Sequence, residues 1–353
     1  MEETQRQFLD SLLSTATPSG FEASGQRVWL DYVSTFADET RVDDYGNAVA
    51  VYEGSNDAPS IALAGHGDEI GLMVRDVTEG GFLKLSRIGG SDKTVTRGQH
   101  VTVHTADGPV SGVIGQVAIH LRTNDDEPDE IEKQYVDIGA ADGESAEELV
   151  DVGDPVTFST EVHDLQNGLL SGRGMDNRVG IWTAAEAFRR VVETEPAATI
   201  YAVSTVQEEL GTKGAAMVGF ELDLDAAIAI DVTHATDTPE SSSGHGSGVD
   251  LGGGPVVFRG SANHPALVDA TRAVAGDDGV DVQLQAAGIA TGTDADAFYT
   301  SRGGVPSLSV GIPNRYMHTP VEVVDLSDLT ATADLLASFA GRVEAFAPFS
   351  VSP

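Results

Sequence analysis

Residues 201–215 read YAVSTVQEELGTKGA, an apolar and β-branched run that ends in two adjacent carboxylates, Glu208 and Glu209, followed by Gly211 and Gly214. Neighbouring side chains on a strand point to opposite faces, so the pair could not serve one site while the strand continued. Past the strand end both can turn to the same place, one carboxylate holding a metal ion and the other moving a proton. A solvated loop mouth is the competing reading of the pair taken by itself. Four further segments put acids or histidines at or just after expected strand ends: AGHGDEIG with His66 and Asp68, GRGMDNRVG with Asp176, AIDVTHATD with Asp231, and NRYMHTP with His318. Singly, each has a structural reading, as a hydrogen-bonded histidine or a helix-capping aspartate. Five such segments in one topology are much harder to explain that way. With no cysteine in the chain, a metal would rest on imidazole and carboxylate, a donor set suited to a borderline divalent ion such as zinc or cobalt.

The elements that must present these residues follow from hydrophobic periodicity. Residues 5–13 and 22–36 carry helical spacing, NAVAVYEG and SIALAGHGDEIG read as strands, and the second strand ends at His66. From about residue 70 to 164, short alternating segments split by glycines and acidic turns predict a small antiparallel β domain. Beyond 165, helix and strand alternate: NRVGIWTAAEAFRRVVE, ATIYAVSTV, AAIAIDV, ALVDATRAVAG, PSLSVGI and a C-terminal helix from 326. That alternation predicts an α/β sheet with helices on its faces, whose strand C-termini are the ordinary place for a ligand. The strands at 48–65 belong with this sheet, which makes the β domain an insertion.

At 353 residues the chain can bury a large core, and 56 acids against 20 bases give a net charge of −36. The acids are spread along the whole chain, which suggests a solvated surface suited to high salt and a protein that loses stability when salt is removed. No basic patch points to nucleic acid and no basic helix to an anionic membrane. The acidic start MEETQRQFLD has neither the basic nor the apolar part of a signal peptide, and no run is long enough to span a bilayer, so a cytoplasmic protein is expected.

The ordered set SGFE (19–22), DDYGNAVA (43–50), HGDEIG (66–71), GMDNR (174–178), QEELG (207–211), AIDVTHATDTP (229–239), GTDADAF (292–298) and GVPSLSVGIPNRYMHTP (304–320) resembles the dinuclear metallo-aminopeptidases of the tetrahedral (TET) type, the glutamyl or deblocking aminopeptidases. The resemblance runs nearly end to end. It implies a mixed, mostly parallel sheet sandwiched by helices, a zinc-peptidase-like core over 1–69 and 165–353. A small antiparallel β-barrel would be inserted over 70–164 for oligomerisation. It also implies two divalent ions per subunit, zinc or cobalt: His66 and Asp231 on one, Glu209 and His318 on the other, and Asp176 bridging. Glu208 would be the general base and Asp68 would orient His66. Three of the four positive charges would then be met by Asp176, Glu209 and Asp231. The implied activity is removal of N-terminal residues from peptides, and the implied assembly is a homododecamer. Gly67 replaces a bulkier apolar residue common in the family, which would leave the ligands intact and loosen the local backbone.

Other motifs read more plainly. GTDADAF predicts a tight turn with Thr293 or Asp294 capping the next helix, close enough to the site by resemblance for Asp294 to touch substrate. The glycines at 252–254 and the segment SSSGHGSG at 241–248 read as flexible loops, and SGFE as packing and turn geometry. His245 and His264 read as surface or structural residues, and His120 is worth testing as an interface or site-facing residue. A metal-dependent carboxypeptidase or deacylase on the same core is the alternative function; it would need a cation for the substrate carboxylate, for which Arg178 and Arg315 are candidates. A metal-binding assembly subunit without turnover is the non-enzymatic one, and the presence of Glu208 beside the other acids argues against it.

Overall fold

The protein is described from a computed structural model that covers residues 1–55, 57–121, 129–239 and 248–351. An eight-stranded sheet forms its centre, in the order Glu39–Val42, Ala48–Tyr52, Thr199–Thr205, Ser60–His66, Ala226–His234, Ser307–Asn314, Val256–Arg259 and Gln283–Ala286. The four middle strands run parallel. They are apolar almost throughout because both sheet faces are covered. One face packs on the helices Glu3–Ser14, Ala23–Val33, Met175–Val192, Pro265–Asp278 and Leu326–Gly341, through side chains such as Trp29, Trp182, Phe188 and Phe339. The other face packs on Lys213–Glu221 and Ala295–Thr300, through Val218 and Phe298.

Leaving the sheet after His66, the chain builds a closed barrel. Its strands are Gly71–Val77, Phe82–Ile88, His100–Thr105, Gly108–Ile114, Tyr135–Asp137 and Pro155–Phe158, and every pairing in it is antiparallel. Leu72, Val74, Leu85, Val103, Ile114 and Val156 fill its interior. His163–Asp164 then pairs with Leu169–Gly172, which in turn pairs with Glu322–Asp325, so this histidine belongs to a small three-stranded sheet and not to the barrel. The strands Glu39–Val42, Val256–Arg259 and Gln283–Ala286 were not expected from the sequence. Each is four residues long and two of them are largely exposed, which leaves little hydrophobic pattern to read.

Two features set up the site. The parallel register carries every middle strand to the same edge, with Thr205 beside His66 and Asp231 beside Gly311. A side chain on Gly65 would meet the backbone of Gly180 at 2.8 Å, so glycine there lets the helix Met175–Val192 lie directly on the His66 strand. Among the described residues, no helix is long and apolar enough to cross a membrane.

Candidate metal centre

Asp176 occupies the middle of the site. It sits at the start of the helix Met175–Val192, where Asp176 and Asn177 have non-helical backbone angles and the peptide between them is cis. Its Oδ1 lies 3.1 Å from His66 Nε2 and its Oδ2 lies 3.3 Å from His318 Nε2. His66 Nε2 is also 3.6 Å from Asp231 Oδ1, and His318 Nε2 is 3.4 Å from Glu209 Oε1. The donors thus form two groups that share Asp176: His66, Asp176 and Asp231 in one, Asp176, Glu209 and His318 in the other. All five expected ligands come together from five separate stretches of chain. Four donors about 2.0–2.1 Å from a tetrahedral ion lie roughly 3.3 Å from one another, and the spacings here cluster at that value. Although close to His66, the buried Asp176 Oδ1 receives no aligned hydrogen bond, so both atoms aim at shared space rather than at each other.

The charge balance points the same way. The pocket contains Asp176, Glu208, Glu209 and Asp231, with Asp68 and Asp294 buried close behind; His66, His234 and His318 are the imidazoles on its wall, and no Lys or Arg among the described residues lines it. Burial, reinforced by Asp231, Asp294 and Glu209, pushes Glu208 up to about 10. Burial likewise raises Glu209 and Asp231. Hydrogen bonding to Asp176 and Glu209 pushes His318 up to about 11, and His66 is raised well above the usual imidazole range by Asp231 and Asp176 against the opposing effect of its burial. Burial alone would raise Asp176, yet the two imidazoles hold it below the ordinary carboxylate range. The raised Glu208 and the two raised imidazoles report a cavity crowded with carboxylates that favours added positive charge. The donors are carboxylate and imidazole, with no thiol, and they fit divalent metal ions.

A ring of buried groups holds the donors in position. Asp68 faces His66 Nδ1 at 3.3 Å, and it accepts the N–H of Glu208 at 3.0 Å, the N–H of Glu209 at 3.2 Å and the hydroxyl of Ser19 at 2.6 Å. Burial opposes ionisation of Asp68, but its contact with His66 and these hydrogen bonds win and lower it. Gln207 and His318 both have left-handed backbones, at φ 54° and 62°, which turn the chain sharply beside Glu208 and at the second histidine. Buried glutamates pin both turns: Glu22 accepts the N–H of Gln207 at 3.1 Å, and Glu322 accepts the N–H of His318 at 2.9 Å and that of Asp176 at 3.2 Å. Burial pushes Glu22 up to about 7 and Glu322 up to about 8. Neither glutamate was singled out from sequence, and SGFE, read there as packing and turn geometry, supplies both Ser19 and Glu22. From the barrel side, the Gly90 carbonyl lies 3.3 Å from His318 Nδ1, and a side chain on Gly90 would collide with that ring.

Several expectations need correction. The backbone at Gly67 is fastened rather than loosened: its N–H donates to Thr205 at 2.8 Å and its carbonyl accepts from Thr17 at 2.7 Å. The space a side chain would take there is closed by Ser204 Oγ, 2.8 Å from the Cβ position. Thr293 accepts from the N–H of Ala295, but Asp294 makes no side-chain cap; its buried carboxylate instead takes the Thr205 hydroxyl at 2.5 Å and leaves Oδ1 without a partner. Gly252 and Gly254 are anchored, each donating its N–H to Asp328 at 2.8 Å. Arg178 is buried and donates to Glu69, and Arg315 is paired with Asp237 at 2.7 Å, so neither faces the pocket. His120 does not line the pocket, against the site-facing half of its reading, and is exposed on the turn Ile119–Leu121. His264 precedes the helix Pro265–Asp278 as a half-buried structural residue, while His245 and the loop around it lie outside the described residues.

Residues 46–335 match the family described as M42 glutamyl aminopeptidase. The chain belongs to that family. It is 32% identical to a lysyl aminopeptidase of Pyrococcus furiosus over 352 residues, covering 98% of this chain and 99% of the relative. Among solved structures, it superposes with a TM-score of 0.93 on a TET aminopeptidase from a marine sediment Thaumarchaeota archaeon, at 31% identity and 99% coverage of both chains. It superposes with a TM-score of 0.84 on the Pyrococcus horikoshii TET1 peptidase, which can assemble into a tetrahedron or a large octahedral shell, at 30% identity over 95% of this chain and 99% of that one. Membership of this family makes the chain a metallo-aminopeptidase, a hydrolase acting at peptide N-termini.

Proposed function

We propose that the chain removes N-terminal residues with a dinuclear centre, one ion on His66, Asp176 and Asp231 and the other on Asp176, Glu209 and His318, the metal being zinc or cobalt. The observation that carries this reading is the sharing of Asp176, whose two oxygens face the two histidines separately. Bound there, paired divalent ions would supply polarisation of the scissile carbonyl and acidification of water. Glu208, its Oε2 3.9 Å from His66 Nε2, takes a proton from the attacking water and returns it to the leaving amine. Asp68 keeps the Glu208 backbone and the His66 ring in fixed relation, so that the base and the first donor group cannot drift apart. The test is metal analysis of protein reconstituted with zinc or cobalt: two ions per chain are expected, and Asp176→Ala should lose both. One ion in the wild type, or two retained by the variant, would overturn the assignment.

A carboxypeptidase or deacylase would need a free cation at the site; Arg178 and Arg315, the candidates, are both engaged elsewhere. The segment 70–164 acts, in this reading, as the assembly domain of a homododecamer, supported by the tetrahedral relative and by the exposed Ile119 and Leu121 on the barrel side. The excess of acids supports work at high salt, in a cytoplasm. Light scattering in molar salt tests the assembly, and a monomer would refute it.

A further inference from the structure

The walls of the pocket beyond the proposed ligands and Glu208 carry no charged carboxylate, lysine or arginine among the described residues. They consist of Val232, Phe258 and Met317, together with Thr233, Gln285 and the turn Thr291–Thr293; His234 stands exposed at the rim. The cavity is about 300 Å³. Two of these side chains pack closely on Gly311, where a Cβ would lie 2.8 Å from Thr233 Cγ2 and 2.9 Å from Phe258 Cε2. On this wall Thr233 donates its hydroxyl to Gln285 Oε1 at 2.6 Å. The Gln285 carbonyl is thereby occupied, and its NH2 is the donor left for a ligand.

Resting on the aminopeptidase reading of this site, we infer that the enzyme selects neutral N-terminal residues, with side chains of leucine, methionine or glutamine type, and that Gln285 is a specificity-determining residue. Burying a charge without a partner costs several kcal/mol, so an N-terminal glutamate side chain would lie against a wall with no lysine or arginine to meet it. An N-terminal lysine would find carboxylates only among the groups already committed to metal and proton transfer. Neutral side chains meet neither difficulty: Phe258 and Met317 cover the apolar part, and the Gln285 NH2 donates to a carbonyl or thioether. The family description names glutamyl and the Pyrococcus furiosus relative lysyl hydrolysis, and the wall of this pocket matches neither charge.

The experiment compares kcat/KM of the metal-loaded enzyme on the p-nitroanilides of Leu, Met, Gln, Glu and Lys, alongside Gln285→Glu and Gln285→Lys. The expected result is a preference of about tenfold or more for the three neutral substrates over both charged ones. Gln285→Glu should raise the Lys-to-Leu ratio, and Gln285→Lys the Glu-to-Leu ratio, each by about tenfold. Because each variant is read as a ratio of substrates, a general loss of activity does not mask the result. Glu or Lys leading in the wild type, or ratios unmoved in both variants, would overturn the proposal while leaving the aminopeptidase reading intact. Hydrolysis of none of the five would instead overturn that reading and this inference with it.

Discussion

The carboxylate of Asp68 accepts the backbone N–H of Glu208 at 3.0 Å, tying the end of one middle strand to the turn that follows its neighbour. The same carboxylate holds the N–H of Glu209 and stands 3.3 Å from His66 Nδ1. One buried group therefore sets the positions of the proposed base and of a donor in each metal group. An amide at this place keeps the shape but turns an N–H2 toward groups that need an acceptor. Asp68→Asn should weaken metal retention by about 10–100-fold, read as loss of bound metal against a graded chelator, with a fall in kcat even at saturating metal. Unchanged retention and unchanged kcat would show that Asp68 is merely structural.

Glu208 belongs to neither donor group, yet it reaches the same cavity. Its role can be separated from metal binding on that ground. Glu208→Gln should keep both metal ions and lower kcat by about 10²–10⁴. Loss of metal in this variant would make Glu208 a ligand; full activity would remove it from the mechanism.

The five donors were legible because each sits where an apolar strand ends or a short acidic motif begins, a pattern carried by local sequence. The Asp231 strand differs in detail: it continues to His234, and Asp231 reaches the site from within it. What holds the donors was far less legible. Glu322 lies four residues past His318 and opens a short strand, and nothing local reveals that it pins both Asp176 and His318. Gly90 sits at the end of a barrel strand and touches His318 across 228 positions of sequence. Asp294 reads as a helix cap and is one only in position; its carboxylate turns away to Thr205. Local motifs mark first contacts with a ligand, whereas supporting contacts depend on which distant segments the fold brings together.

The surface makes a separate prediction. Acids such as Asp142, Glu144, Glu147 and Glu148 crowd one short exposed stretch of the barrel domain, and the whole chain carries −36. Raising ionic strength from about 0.1 M to about 1 M shortens the screening length from roughly 10 Å to roughly 3 Å and relieves that repulsion. The melting temperature should rise steadily over this range of sodium chloride. A flat or falling profile would mean that self-repulsion is not what limits stability.

Acid sensitivity should depend on Glu69. Burial pushes this carboxyl up, but the guanidinium groups of Arg173 and Arg178 outweigh it and hold it down to about 2, and the N–H of Thr17 adds a hydrogen bond at 3.0 Å. Its folded value lies below the ordinary 4.5, so the unfolded chain binds the proton more readily. The stabilisation is therefore complete above about 4.5 and is lost as pH falls through the range down to about 2. Glu69→Gln removes it and also leaves Arg178 buried without its anion, a change that costs about 3–5 kcal/mol at neutral pH. Urea unfolding of the metal-free wild type and variant, at fixed salt, should show that gap at pH 7 and a much smaller one at pH 3. A gap of equal size at both pH values would show that the contribution of Glu69 does not come from its charge.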